Sequence, residues 1–270
     1  MLKTRIYTVL VLLPLFIAAL FYLPVAAWAL FLTPLMLIGA WEWGALAGWR
    51  SEGRIVYVIA IAAGGVLLWQ FGYHEDHGSR WVSPAVFGTG LLFWIAVAPL
   101  WLARAWRVGA PLILAVTGAF ILLPMWWALI QLQMKPMQLL MLMAIVWISD
   151  TAAYLSGRRW GRRKLAVTIS PGKTWEGVFG ALIAVSIYYV IVSATGLAEQ
   201  GVLQGVSGFA LFMVLAILGM EGDLFESWIK RTAGMKDSGT IFPGHGGVLD
   251  RIDALSPSLP VAALVLGSIA

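Results

Sequence analysis

Apolar runs of helix length, separated by short polar segments, fill this chain almost from end to end. A membrane-spanning helix needs about 20 mostly apolar residues. That ruler marks nine candidate spans, near 6–22, 25–47, 55–73, 83–103, 108–132, 136–156, 175–196, 203–222 and 255–270. Only Leu23-Pro24 separates the first two, but together they are too long for one crossing, and proline favours a turn there. The runs lack the alternating ten-residue strands of an outer-membrane barrel. The pattern therefore predicts an all-α polytopic integral membrane protein with about nine transmembrane helices.

Composition narrows the class further. Of 270 residues, 61% are hydrophobic and 11% charged, against about 25% charged in soluble domains; mean hydropathy is +0.88. This excludes a soluble globule and a disordered chain. The absence of cysteine excludes a disulfide scaffold, a thiol nucleophile and cysteine-bound zinc or iron–sulfur clusters. Lys3 and Arg5 followed by an apolar run, with Ala26-Ala27-Trp28-Ala29 beyond, imitate a cleaved signal. Further spans follow at once, so a retained signal anchor is expected.

With nine spans, all 18 lysines and arginines except Arg80 and Lys135 fall on one side of the membrane. The positive-inside bias assigns that side to the cytoplasm and the chain to the inner, cytoplasmic membrane. The net charge of +5 therefore lies in membrane-flanking loops, and no nucleic-acid partner is expected. Charged residues concentrate in the second half. This divides the chain into an N-terminal transmembrane scaffold, 1–149, lipid-facing or dimer-forming, and a C-terminal catalytic region, 150–270. No internal repeat is evident, which disfavours inverted-repeat transporters.

The densest chemistry lies between Glu221 and Asp253. Asp223, Glu226, Asp237, Asp250 and Asp253 alternate there with Lys230, Arg231, Lys236 and Arg251, between two apolar spans. Unpaired charge is costly at the membrane surface, whereas a hard cation such as Mg²⁺ tolerates clustered carboxylates and keeps positions open for phosphate. Pro243-Gly244-His245-Gly246-Gly247 forms a sterically permissive loop whose N–H groups can line an anion-binding concavity. Acids, bases and a glycine loop together describe phosphoryl or nucleotidyl transfer; the plainer alternative is a solvated loop joining two spans. His245 is open to two roles, general base or phosphate-binding loop cap, and His74, His77 and His245 make no convincing zinc site. The 15 tryptophans read mostly as interfacial anchors.

Upstream, Asp150 lies late in the sixth span, either as a functional intramembrane acid or as a helix-end acid reaching the interface. The basic run Arg158, Arg159, Arg162, Arg163, Lys164 serves topology or anionic headgroups. Ser170, Lys173 and Thr174 open the seventh span, where a lysine and hydroxyls at a helix start suit phosphate. Gly172-Lys173-Thr174 imitates a P-loop, but position 167, where that motif needs glycine, is valine.

Ser227-x-x-Lys230-Arg231, Lys236-Asp237 and Pro243-Gly-His245-Gly246-Gly247-x-x-Asp250-Arg251-x-Asp253 together resemble the characteristic motif of phosphatidate cytidylyltransferases, also called CDP-diacylglycerol synthases. Asp150-x-x-Ala-Tyr and Ser170-Pro-x-Lys173-Thr-x-Glu-Gly resemble the same family, so the specific match covers 150–253. The resemblance implies CTP and phosphatidic acid as substrates, CDP-diacylglycerol and pyrophosphate as products, and a role in phospholipid biosynthesis. It implies Asp223 and Asp250 as metal ligands for two cations, at least one of them Mg²⁺. Lys230, Arg231, Lys236 and Arg251 would hold the phosphates, Ser170, Lys173 and Thr174 would close the cytoplasmic side, and Asp237 and Asp253 would orient the bases. A polar, cytoplasm-facing cavity with a lateral opening to lipid is expected, and a homodimer is the default assembly. The rival readings are a CTP-dependent lipid kinase of the polyprenol type, which would release CDP, and an anion or phosphate-compound transporter.

Overall fold

The computed structural model describes residues 2–73, 81–197, 202–242, 244 and 246–267, with side chains from residue 10 onward. Its helices are α1 (Leu2–Tyr22), α2 (Val25–Leu46), α3 (Ser51–Gly72), α4 (Val82–Leu92), α5 (Ala98–Ala103), α6 (Pro111–Leu132), α7 (Pro136–Trp160), α8 (Trp175–Ala194), α9 (Gly205–Thr232), the single turn α10 (Leu249–Ile252) and α11 (Leu255–Gly267). Among the described residues, seven stretches are long and apolar enough to cross a membrane: α2, α3, α4 through α5, α6, α7, α8 and α9. Further apolar helical stretches run from Leu10 to Tyr22 within α1 and from Leu255 to Gly267. This is a multi-pass, all-α membrane protein.

Proline sets much of the punctuation. Pro24 caps α2 with extended backbone (φ −65°, ψ 156°) and separates it from α1, as the sequence predicts. Pro111 and Pro136 start α6 and α7, where a missing N–H costs nothing. Pro99 lies just inside α5, and a π-helical turn over Phe93–Val97 joins that helix to α4. Such a turn accommodates the donor that proline lacks.

α11 forms the centre of the bundle. Its residues from Leu255 to Ala263 are all buried, and it packs against α9, α6 and α4. Its thirteen described residues rise about 20 Å, and their burial makes this helix part of the protein core. Seven of the 15 tryptophans depart from the interfacial reading: Trp28, Trp43, Trp94, Trp101, Trp126, Trp127 and Trp228 are buried. Several staple helices together, with Trp28 Nε1 donating to Leu129 O at 3.0 Å and Trp43 Nε1 to Leu114 O at 2.8 Å. An indole can enter the core when its N–H finds such a partner.

Two elements lie outside the pattern read from hydropathy. α9 runs ten residues past the expected end of its span at 222. Its polar extension is amphipathic, with Phe225, Trp228 and Ile229 buried at i, i+3 and i+4. Phe225 meets Phe93, Trp94 and Trp101 edge-on. Between α7 and α8, β1 (Lys164–Ala166) and β2 (Ser170–Thr174) form an antiparallel hairpin with Lys164 opposite Thr174 and Ala166 opposite Ser170. The hairpin carries part of the basic run and delivers Lys173 to the site.

Candidate active site

The extension of α9 places Asp223, Glu226, Ser227 and Lys230 at i, i+3, i+4 and i+7, on one helical face. Ser227 Oγ donates to Asp223 Oδ1 at 3.3 Å, and Lys230 Nζ lies 3.3 Å from Glu226 Oε1. Lys173, at the end of the hairpin, reaches across to Asp223 Oδ2 at 2.6 Å. Lys230 also donates to Asp250 Oδ1. Each of the two expected metal-binding aspartates therefore faces a lysine ammonium.

Asp250, on α10, is held tightly from its other side. Its Oδ2 accepts from Ser238 N at 2.8 Å, Ser238 Oγ at 2.9 Å and Gly247 N at 2.9 Å. Burial alone would raise this carboxyl. The Lys230 ammonium and the Gly247 and Ser238 N–H groups outweigh it and hold the group below the usual carboxylate range. Asp253 shifts the other way, raised by burial and by the charge of Asp223; its Oδ1 accepts from Ala254 N at 2.8 Å.

Gly247 N–H serves Asp250, and the N–H groups of Val248 and Leu249 serve Glu42. Gly246 has φ +84°, and a side chain there would collide with the Asp250 carboxylate. Gly247 lies against Ser238 Oγ and Glu42, leaving no room for a Cβ. His245 falls outside the described residues. Thr174 Oγ1 caps α8, accepting from Gly177 N at 3.1 Å, and Ser170 is half-buried at the start of β2. Arg231, Lys236, Asp237 and Arg251 are exposed, with Arg231 Nε 3.5 Å from Ile169 O.

Glu42 is the residue that sequence reasoning missed. It lies in α2, far from the motif in sequence, and is 5% exposed. Its carboxylate accepts from Ser238 Oγ at 3.0 Å, Val248 N at 3.0 Å and Leu249 N at 2.9 Å. The available signal was an acid within a candidate span, which is a functional candidate by default.

A cavity of about 480 Å³ opens beside these groups. Side chains of α1, α2, α6 and α7 form its walls, among them Phe16, Leu35, Trp126 and Val146, while Asp150, Asp250, Arg251 and Asp253 gather at one end. It is mostly apolar with a charged end, where the sequence leads one to expect a polar cavity lined by the charged residues. The donors at that end are carboxylate oxygens, which suit Mg²⁺. Among the described residues, no three acids or histidines form a metal cage. Mg²⁺ usually takes one or two carboxylates and completes its shell with water and substrate phosphate; Asp250 offers such oxygens at the cavity, whereas Asp223 is not among its lining residues.

The cytidylyltransferase family model matches residues 3–269. The chain is 39% identical over 281 residues to the phosphatidate cytidylyltransferase of Pseudomonas aeruginosa, covering 98% of this chain and 97% of that one. It is 31% identical over 280 residues to the Haemophilus influenzae enzyme of that name, covering 96% of each. A Brucella suis phosphatidate cytidylyltransferase is 48% identical over 114 residues, 42% of this chain and 41% of its own. With similarity running through the N-terminal helices as well as the acid-and-glycine motif, the chain belongs to the cytidylyltransferase family.

Proposed function

We propose that this chain is a phosphatidate cytidylyltransferase, joining CTP and phosphatidic acid into CDP-diacylglycerol and pyrophosphate. The observation that carries the reading is the cavity, whose apolar walls end on Asp150, Asp250, Arg251 and Asp253. A substrate that is aliphatic at one end and anionic at the other fits that division. A lipid-phosphate oxygen forms the new bond to the α-phosphorus of CTP, and the bond from that phosphorus to the β-phosphate oxygen breaks. Phosphomonoesters have a second pKa near 6, so the nucleophile is largely ionised at neutral pH and needs no strong base. Catalysis then rests on positioning and on neutralising charge.

Arg251 is the one basic side chain among the described cavity-lining residues, which suits it to the lipid phosphate. Arg231 and Lys236, exposed to water, suit the CTP triphosphate. Lys173 and Lys230 orient Asp223 and Asp250 through their ion pairs. These two aspartates would hold Mg²⁺, which supplies positive charge to phosphate oxygens and to the leaving pyrophosphate. The basic segments flank the site, so the positive-inside rule supports a cytoplasmic membrane location with the site facing the cytoplasm.

Purified full-length protein given CTP, phosphatidic acid and Mg²⁺ should release pyrophosphate only when both substrates are present. Asp250→Asn should lower the rate at least about 100-fold, the scale on which loss of an electrostatic catalytic group acts. Release of CDP in place of pyrophosphate would falsify the transfer and favour a lipid kinase.

A further inference from the structure

We propose that Glu42 is a positioning residue for cytidylyl transfer, setting the Asp250 carboxylate through the 238–249 loop. This role rests on Asp250 serving the transfer reaction. The two acids grip the same loop at both ends. Glu42 accepts from Ser238 Oγ and from the N–H groups of Val248 and Leu249, the two residues directly before Asp250. Asp250 accepts from Ser238 N, Ser238 Oγ and Gly247 N. Ser238 Oγ lies 3.0 Å from Glu42 Oε2 and 2.9 Å from Asp250 Oδ2. A hydroxyl carries a single proton, so Ser238 serves one carboxylate at a time while its position between them links the two.

The loop is built for this contact. Cβ atoms on Gly239 and Gly247 would both meet the Glu42 carboxylate, so two glycines clear space for a side chain from another helix. Glu42 itself does not line the cavity and therefore acts through its neighbours. Its three hydrogen-bond partners among the described residues, Ser238 Oγ and the N–H groups of Val248 and Leu249, are all neutral donors. Loss of the carboxylate would leave the Val248 and Leu249 N–H groups buried without their acceptor and free Asp250 to shift, as outer-layer partners of metal-binding acids do when removed.

The test compares wild type, Glu42→Gln and Ser238→Ala as full-length purified chains. Two readouts are taken: steady-state pyrophosphate release, and Mn²⁺ affinity from the electron paramagnetic resonance signal of free Mn²⁺. Glutamine keeps the shape but turns an NH₂ toward the loop donors. The expected result is a kcat lower by about 10- to 100-fold and an Mn²⁺ affinity weaker by about tenfold, with KM for CTP nearly unchanged. Ser238→Ala should move both readouts in the same direction. Wild-type kcat and wild-type Mn²⁺ affinity in Glu42→Gln would overturn the proposal, as would an activity loss matched by the fraction of unfolded chain. If Glu42→Gln does not fold, an unchanged Ser238→Ala overturns it. A wild type that binds Mn²⁺ yet releases no pyrophosphate sinks the reaction, while the affinity of Glu42→Gln still decides the role of Glu42.

Discussion

Gly247 has carboxylate and hydroxyl oxygens where a side chain would go. Its place in the motif is thus a matter of crowding, and Gly246 adds a left-handed backbone at φ +84°. Forcing a methyl into a filled site costs about 1–3 kcal/mol. Gly247→Ala should lower the thermal unfolding midpoint of the detergent-solubilised chain and reduce turnover severalfold. Gly172→Ala, where a Cβ meets nothing, should leave the midpoint unchanged and serves as the control. In the sequence these glycines read as freedom for a ligand to approach; the oxygens that actually approach belong to Asp250 and Glu42. Asp223, Lys230 and Asp250 were legible because charge between two apolar spans demands explanation. Glu42 was not, because a single acid near the end of an apolar run was absorbed into the span.

At the level of elements, α9 joins membrane to chemistry. Hydropathy marks where its apolar part stops but not where the helix stops, since the last ten residues bury only one face. The i, i+3, i+4, i+7 spacing of Asp223, Glu226, Ser227 and Lys230 was the legible sign that the helix continues. The hairpin left no comparable sign, because three- and five-residue strands in a basic segment carry no alternation to read. The two lysines these elements supply should differ in what they stabilise. Lys230 is 12% exposed against an Asp250 that is 6% exposed, so Lys230→Met strands buried acids and should cost about 3–5 kcal/mol. Lys173 and Asp223 are 24% and 32% exposed. Water screens that pair, and Lys173→Met should cost no more than about 1 kcal/mol. Both variants should lose at least about tenfold in pyrophosphate release, so thermal unfolding separates them and activity does not.

Across the whole molecule, the cavity couples the two halves of the chain. Leu35 and Trp126 come from the first half, and Asp150, Asp250 and Arg251 from the second, so helices of both halves wall the site. Its apolar lining, which includes Phe16, Leu35, Trp126 and Val146, offers an acyl chain a place beside the charged residues. Burying a methylene contributes about 0.8 kcal/mol, so the cavity should favour long chains until it is full. Leu35 is half-buried on the wall, and Leu35→Trp narrows the apolar part without touching the charged end. The KM for long-chain phosphatidic acid should rise severalfold, while a short-chain phosphatidic acid and CTP keep nearly their wild-type values. Steady-state kinetics with the two lipids, at equal surface dilution in the same detergent, makes the comparison. If both lipids lose equally, the acyl chain lies elsewhere; if only the long chain loses, the apolar wall measures substrate length while the acids at its end do the chemistry.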